Sequence, residues 1–283
     1  MTLGFWLSFA ALSVLQGVLV LVPTRPSGAS GSRLVGLLVP AGLLVLGVLL
    51  VRDVSDGARA LADLATFGTP LAAGLCGYLL GWRRSWLASL FAVGLYLVAW
   101  QASGLIRDGA SVLLIAGACL SGAALLGRFI RPRELTIGLL LLVVLDVVLV
   151  FGTTEVTQTA TTLHGIAPVT AGAKPLPALQ DVTLGSSMMG WLDLLAPALL
   201  GVILVRARQR LAAAAAVTLA ALAWGTLLYA TSTVPATVPV LAGLAVAWSG
   251  QGGWGELFRR PGGRPRAFGL SGSERRFSSV WRG

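Results

Sequence analysis

The stretch LLLLVVLDVVLVF, residues 139–151, places one aspartate inside an otherwise unbroken apolar run. Seven apolar residues precede Asp146 and five follow it, so no residue nearby in sequence can pair with its charge. A second run, MMGWLDLLAPALLGVILV at residues 188–205, holds Asp193 in the same way. These two segments decide the fold class, because they belong to arginine- and lysine-free runs of about 20 residues, the length of a membrane-spanning helix.

The composition of the whole chain supports a membrane protein. Of its 283 residues, 56% are apolar and 11% are charged, whereas soluble domains carry about 25% charged residues. The net charge of +10 comes almost entirely from arginine, since Lys174 is the only lysine. In a membrane protein such charge reports orientation and contact with lipid headgroups, so nucleic-acid binding is the less favoured interpretation. Cys76 and Cys119 lie in apolar segments and indicate no disulfide framework.

Windows free of arginine and lysine predict nine transmembrane helices, because a bilayer core needs roughly 20 apolar residues in a helix. The expected fold class is therefore an all-α polytopic membrane protein. The predicted spans are Leu3–Val22, Leu34–Val51, Leu64–Trp82, Trp86–Ile106, Ala110–Gly127, Leu135–Thr154, Met188–Val205, Leu211–Ala230 and Val234–Gly250.

These spans divide the chain into three parts. Residues 1–134 form a five-helix scaffold, residues 135–250 carry spans six to nine with the long connection 155–187, and residues 251–283 form a tail rich in arginine and glycine. The tail is expected to be disordered and to lie on anionic lipid. Because the N-terminus lacks a basic region and an obvious cleavage site, the first span is expected to be retained.

The distribution of basic residues predicts the orientation of the bundle. The odd-numbered connections and the tail together hold 17 of the 21 basic residues. By the positive-inside rule, the N-terminus and the 155–187 connection lie outside and the C-terminal tail is cytoplasmic. The excess of alanine, glycine and arginine over lysine indicates a GC-rich prokaryotic genome, and hence a plasma-membrane location.

Of the eleven acidic residues, only Asp146 and Asp193 fall inside predicted spans. An ionisable group at the middle of a membrane helix costs about 2.5–3.5 kcal/mol. From the predicted span ends, the two residues lie about 12 Å and about 7–8 Å below the outer boundary, so their carboxyl groups are expected to face each other. Two such carboxyls titrate as a unit, as in the aspartic proteases, where one takes a proton from water and the other protonates the scissile carbonyl.

Other chemistries can be compared by their residue requirements. A serine-type intramembrane protease needs a histidine base inside the bundle, but the sole histidine, His164, falls in the outer connection. A zinc protease needs clustered histidine or cysteine ligands with a glutamate, and the sequence has no such cluster. Two alternatives to hydrolysis stay open: hydrogen bonding between helices by protonated acids, and a proton-coupled transporter that uses the same residues.

The motifs around the acids resemble those of the presenilin and signal-peptide-peptidase family, a nine-span family of intramembrane aspartyl proteases. That family has one catalytic aspartate in span six, in Tyr-Asp, and one in span seven, in Gly-x-Gly-Asp. The counterparts here are LDVVLVFGT with Asp146 and GWLDLLAPALL with Asp193, including VFGT at 150–153 and Pro197 four residues after the second acid. The family's Pro-Ala-Leu motif has two candidates in VPATVPVL, at 235–237 and 239–241.

The resemblance implies that Asp146 and Asp193 are catalytic, that the bundle has the family's fold, and that no metal or organic cofactor is required. The substrate would be a single-span membrane protein or signal peptide that enters from the bilayer, unwinds near 235–241 and pairs with the 155–187 connection. The residues expected to contact it are Gly190, Leu192, Pro235, Ala236, Pro239 and Leu241. Leu145 and Leu192 replace the family's tyrosine and second glycine, which leaves a catalytically inactive member open as an alternative.

Overall fold

The computed structural model describes ten segments of the chain. They are residues 2–22, 33–54, 56–80, 85–153, 155–166, 170–171, 174–204, 207–229, 231 and 234–249. The predicted tail 251–283 and its contact with anionic lipid lie outside the described residues.

The described residues are mostly helical and form ten α-helices. These are α1 Leu3–Leu21, α2 Arg33–Asp53, α3 Gly57–Leu79, α4 Ser85–Gln101, α5 Gly104–Phe129, α6 Pro132–Gly152, α7 Glu155–His164, α8 Leu192–Ile203, α9 Ala207–Gly225 and α10 Pro239–Ser249. A 3-10 turn at Thr226–Tyr229 continues α9.

Five helical segments are long and apolar enough to cross a membrane: α1, α3, α5, α6 and α9 with its 3-10 extension. The chain is therefore a helical, multi-pass membrane protein, which confirms the coarse prediction of fold class. Three further apolar helices are shorter than the usual span, namely α8, α10 and the part of α4 at Trp86–Gln101. They occupy the predicted fourth, seventh and ninth spans, so helix length by itself does not establish a count of nine.

The predicted start of span seven at Met188 is wrong. Residues 187–189 form strand β4, which pairs antiparallel with β3 at Val182–Leu184, and α8 begins only at Leu192. Two residues connect the strands, and Gly185 takes a left-handed φ of 57°, which glycine adopts without steric cost. The backbone groups of residues 187–189 pair with strand β3, so they do not form the hydrogen bonds of a helix. Asp193 consequently lies in the first turn of α8.

The 155–187 connection contains regular structure beyond the β3 strand. It includes α7 and a short antiparallel pair, β1 at Thr170–Ala171 with β2 at Lys174–Pro175. Hydrogen bonds to α5 and to α1 hold the β3–β4 hairpin in the bundle. The Gly185 N–H donates to Asp108 on α5 over 3.0 Å, and the Ser187 hydroxyl donates to the Phe5 carbonyl on α1 over 3.1 Å.

The predicted ninth span also begins later than expected. Residues 234–238 are not α-helical, and α10 begins at Pro239. Proline is favoured in the first turn of a helix, because its fixed φ suits the helix and its missing N–H would be unpaired there anyway. The non-helical segment 234–238 is thus a distinct element, preceding α10 and ending where the helix begins.

Helix α8 lies at the centre of the bundle. Every residue from Leu194 to Ile203 is buried, and α8 packs against α1, α5, α6 and α10. A helix that is apolar on all sides belongs to the interior. Helices α1 and α5, from the predicted scaffold 1–134, therefore share one core with the helices that carry the acids.

Candidate active site at Asp146 and Asp193

Asp146 lies on α6 and is buried, with 7% of its surface exposed. The Thr237 hydroxyl donates to its Oδ2 over 2.6 Å, and the Thr237 backbone N–H donates to the same carboxyl group. Thr237 is itself 1% exposed. A buried carboxylate needs such donors, because unpaired it would lose its hydration without compensation.

Asp193 lies in the first turn of α8 and is partly buried. Its Oδ2 accepts a hydrogen bond from the Gly190 N–H at 2.9 Å, while its own N–H donates to the Gly190 carbonyl at 3.1 Å. This reciprocal pair closes the turn that links β4 to α8. Gly190 and Trp191 are exposed, so Asp193 lies next to the surface of the protein.

The Asp146 and Asp193 carboxyl groups are electrostatic neighbours, and the charge on one acts on the other. Their helices, α6 and α8, pack directly against each other. Two adjacent carboxyls with little water around them resist simultaneous ionisation. The structure thus brings together the two acids that the sequence singled out, although Asp193 reaches this position from a helix start and not from within a span.

The segment Pro235-Ala236-Thr237 is the one of the two candidate motifs that contacts the acids. Besides the Thr237 bonds to Asp146, the Trp224 indole N–H donates to the Pro235 carbonyl at 3.0 Å. The Ala236 carbonyl accepts a hydrogen bond from Gln16 on α1 at 3.4 Å. This segment is therefore held from α1, α6 and α9 at once.

Three other residues expected to contact substrate lie on helices α8 and α10. Pro239 is buried at the start of α10, and Leu241 on the same helix is 37% exposed. Leu192 is half-buried and packs against the main apolar core. Leu145, which replaces the family's tyrosine, packs against the same core.

Sequence reasoning missed Gln16 and Trp224. Gln16 did carry a signal, because it places an amide in the middle of the apolar run LSVLQGVLV of the first span. Trp224 carried none, since tryptophan is common in membrane helices and its partner is set by packing. Thr237 lay inside a candidate motif, but its contact with Asp146 was not foreseen.

The site offers carboxylate, hydroxyl and backbone amide groups. Among the described residues, no group of three or more His, Cys, Asp or Glu side chains is arranged to hold a metal ion. His164 lies at the end of α7, where its Nδ1 is 2.6 Å from Asp181 Oδ2. Its partner is thus in the 155–187 connection and not in the Asp146–Asp193 pair.

Comparison with known proteins found no relative: no family model matches the chain, and neither a curated protein nor a solved structure matches it.

Proposed function

We propose that this chain is an intramembrane aspartyl protease that cleaves transmembrane or signal-peptide helices with the Asp146–Asp193 pair. The observation that carries the proposal is the juxtaposition of these two carboxyl groups on packed neighbouring helices. No other pair of acids in the chain is expected inside the membrane. An intramembrane acid is costly and is a functional candidate by default, and two brought together supply an acid and a base for hydrolysis.

Hydrogen bonding suggests how the two acids divide the chemistry. Asp146 accepts two bonds from Thr237 and Asp193 accepts one from Gly190, so Asp146 is the better stabilised of the two as a carboxylate. Asp146 then takes a proton from water, and the resulting hydroxide attacks the carbonyl carbon of the scissile peptide. Asp193 donates its proton to the carbonyl oxygen. Collapse of the tetrahedral intermediate breaks the C–N bond, and the amine leaves with a proton from the pair.

Water would reach the acids from the outer side, whereas a substrate helix would enter laterally from the bilayer. Exposure of Gly190 and Trp191 supports a solvent path to the start of α8. A substrate helix entering from the bilayer must unwind to present its peptide bond, and its freed backbone needs a pairing partner. The Pro235 and Ala236 carbonyls already accept bonds from Trp224 and Gln16. The β3–β4 hairpin, which ends just before Gly190, is therefore the favoured partner.

The full topology belongs to the same proposal. Counting α2 and the shorter α4, α8 and α10 as spans gives nine crossings, with the outer connection between the sixth and seventh. The N-terminus would lie outside and the tail in the cytoplasm, as the arginine distribution predicts. A nine-span bundle with its acids on spans six and seven is the arrangement of the presenilin and signal-peptide-peptidase family.

The test uses purified protein in detergent with a signal-peptide-like transmembrane substrate. Wild type is compared with Asp146→Asn and Asp193→Asn, and with Asp53→Asn, which alters an exposed acid at the end of α2. Cleavage by wild type and Asp53→Asn, lost in both dyad variants, is the expected result. Cleavage that survives in either dyad variant contradicts the proposal.

If neither wild type nor any variant cleaved any substrate in a panel, the protease proposal would also be contradicted. If all preparations then bound the substrate equally, the inactive-homologue alternative would replace the protease, with Leu192 beside Asp193 as the residue to change first. Proton uptake by proteoliposomes that requires both aspartates, without cleavage, would instead support the transporter alternative.

A further inference from the structure

Gln16 is a polar residue at the centre of the bundle. It lies in the middle of α1, and only 1% of its surface is exposed. Its side chain reaches the start of α8 and the 234–238 segment, 177 and 220 residues further along the chain. An amide buried this deeply in a membrane helix requires a specific partner, because water cannot replace a missing hydrogen bond there.

The partner of Gln16 exists because of Pro197. In a regular helix the Asp193 carbonyl would accept a bond from the N–H four residues later, but that residue is Pro197, which has none. The Gln16 Nε2 donates to this freed carbonyl at 3.1 Å and to the Ala236 carbonyl at 3.4 Å. Only the nitrogen end of the amide can face two carbonyl oxygens, because the reverse orientation would place three acceptors together.

The oxygen end of the Gln16 amide indicates why this position carries an amide. Gln16 Oε1 is buried and has no hydrogen-bond partner among the described residues. A buried acceptor without a partner is destabilising, and an apolar side chain of the same size would avoid that cost. The two bonds from Nε2 are therefore the reason for an amide at this position.

We propose that Gln16 is a positioning residue for the Asp146–Asp193 pair. Its amide joins Asp193 to Ala236, and the next residue, Thr237, donates to Asp146. Through Gln16 and the Ala236–Thr237 peptide link, the Asp193 backbone carbonyl is thus connected to the Asp146 carboxyl group, and this connection sets the spacing of α8 and the 234–238 segment. The catalytic consequence of this inference rests on the proposed protease function. The hydrogen bonds of Gln16 to Asp193 and Ala236 do not depend on that function.

The test uses the native Cys119 as a reporter that does not depend on catalysis. Cys119 is buried on α5, and its thiol donates to the Trp191 carbonyl at the start of α8 over 3.4 Å. In a Cys76→Ala background it is the sole thiol in the chain. Gln16→Met keeps the volume of the side chain and removes its donor. Ser13→Ala is the matched control, because Ser13 is buried on the same helix but bonds only to Phe9 of that helix.

The full-length proteins are treated with N-ethylmaleimide, and kcat and KM are measured on the transmembrane substrate. Loss of the Gln16 donor is expected to speed modification of Cys119 by about two- to tenfold, the range for loss of one hydrogen bond. The same change lowers kcat with little effect on KM, while Ser13→Ala resembles wild type.

Two results overturn the inference. One is a Gln16→Met protein whose Cys119 reacts at the wild-type rate; the other is equal acceleration in Gln16→Met and Ser13→Ala, which would indicate general loosening of α1. Failure of the protease proposal is distinguishable from both. If wild type cleaves no substrate, the thiol rates alone still decide whether Gln16 holds the start of α8.

Discussion

Thr237 donates its hydroxyl to Oδ2 of Asp146 over 2.6 Å, although 91 residues separate them in the chain. Both residues are buried, so water does not compete for this bond. Asp146 belongs to a long spanning helix, whereas Thr237 lies in the non-helical stretch before α10. The contact therefore fixes the orientation of one candidate catalytic acid from the segment that the resemblance associates with substrate.

Replacing Thr237 by valine removes the hydroxyl and keeps the shape of the side chain. A hydrogen bond to a charged group is worth about 1.5–3 kcal/mol, so kcat/KM is expected to fall by about 10- to 100-fold. Thr237→Ser retains the hydroxyl and should recover most of the activity. Thr231→Val, at an exposed position whose hydroxyl bonds to Leu227, is the control. Unchanged kcat/KM in Thr237→Val would remove Thr237 from the site.

Gly190 is expected to tolerate alanine. Its φ does not lie in the left-handed region, and a Cβ at this position would be 3.4 Å from Asp193 Oδ2, an ordinary contact distance. Its contribution is the N–H that donates to Asp193, which alanine retains and proline lacks. Cleavage assays should show near wild-type activity for Gly190→Ala and a large loss for Gly190→Pro. An inactive, folded Gly190→Ala protein would show that space, and not the N–H, is what matters.

Gly201 on α8 is expected to be intolerant of alanine. A Cβ there would lie 2.9 Å from the Val20 carbonyl oxygen and 3.0 Å from that of Leu19, and backbone atoms cannot move aside without displacing α1. Overpacking of this kind costs about 1–3 kcal/mol. Thermal unfolding in detergent should show a lower Tm for Gly201→Ala.

Gly122 on α5 is the matched position for that experiment. Its added Cβ would meet only a Leu195 methyl group at 3.7 Å, so Gly122→Ala should unfold near the wild-type temperature. Equal Tm values for the two alanine variants would contradict the close packing of α1 against α8.

The pH profile of cleavage should be bell-shaped. The proposed mechanism needs one proton on the Asp146–Asp193 pair, so kcat falls at low pH when both groups are protonated and at high pH when neither is. The measurement is kcat at saturating substrate across the pH range, with Gln16→Met compared to see whether altered spacing changes the width of the bell. A rate that rises or falls monotonically with pH would exclude a shared-proton pair as the catalyst.

Much of this protein could be predicted from the sequence. Hydropathy along the chain indicated a multi-pass helical membrane protein, because a span is specified by a local run of about 20 apolar residues. The same local pattern singled out Asp146 and Asp193, since a charge inside such a run is conspicuous and costly. The family resemblance, and not hydropathy, suggested two neighbouring candidates for a substrate-binding segment, Pro235-Ala236-Thr237 and Pro239-Val240-Leu241.

Only the tertiary structure decided how these pieces meet. Residues 187–189 form a strand because they pair with Val182–Leu184. Their local sequence could not decide this, since a short apolar run is compatible with either a helix or a strand. The Asp146 carboxyl accepts from Thr237, 91 residues away, and the Asp193 backbone carbonyl accepts from Gln16, 177 residues away. Contacts over such separations follow from helix packing in three dimensions, which local patterns of hydropathy do not encode. The sequence thus determined which residues carry the charge, and the fold decided which groups hold them in place.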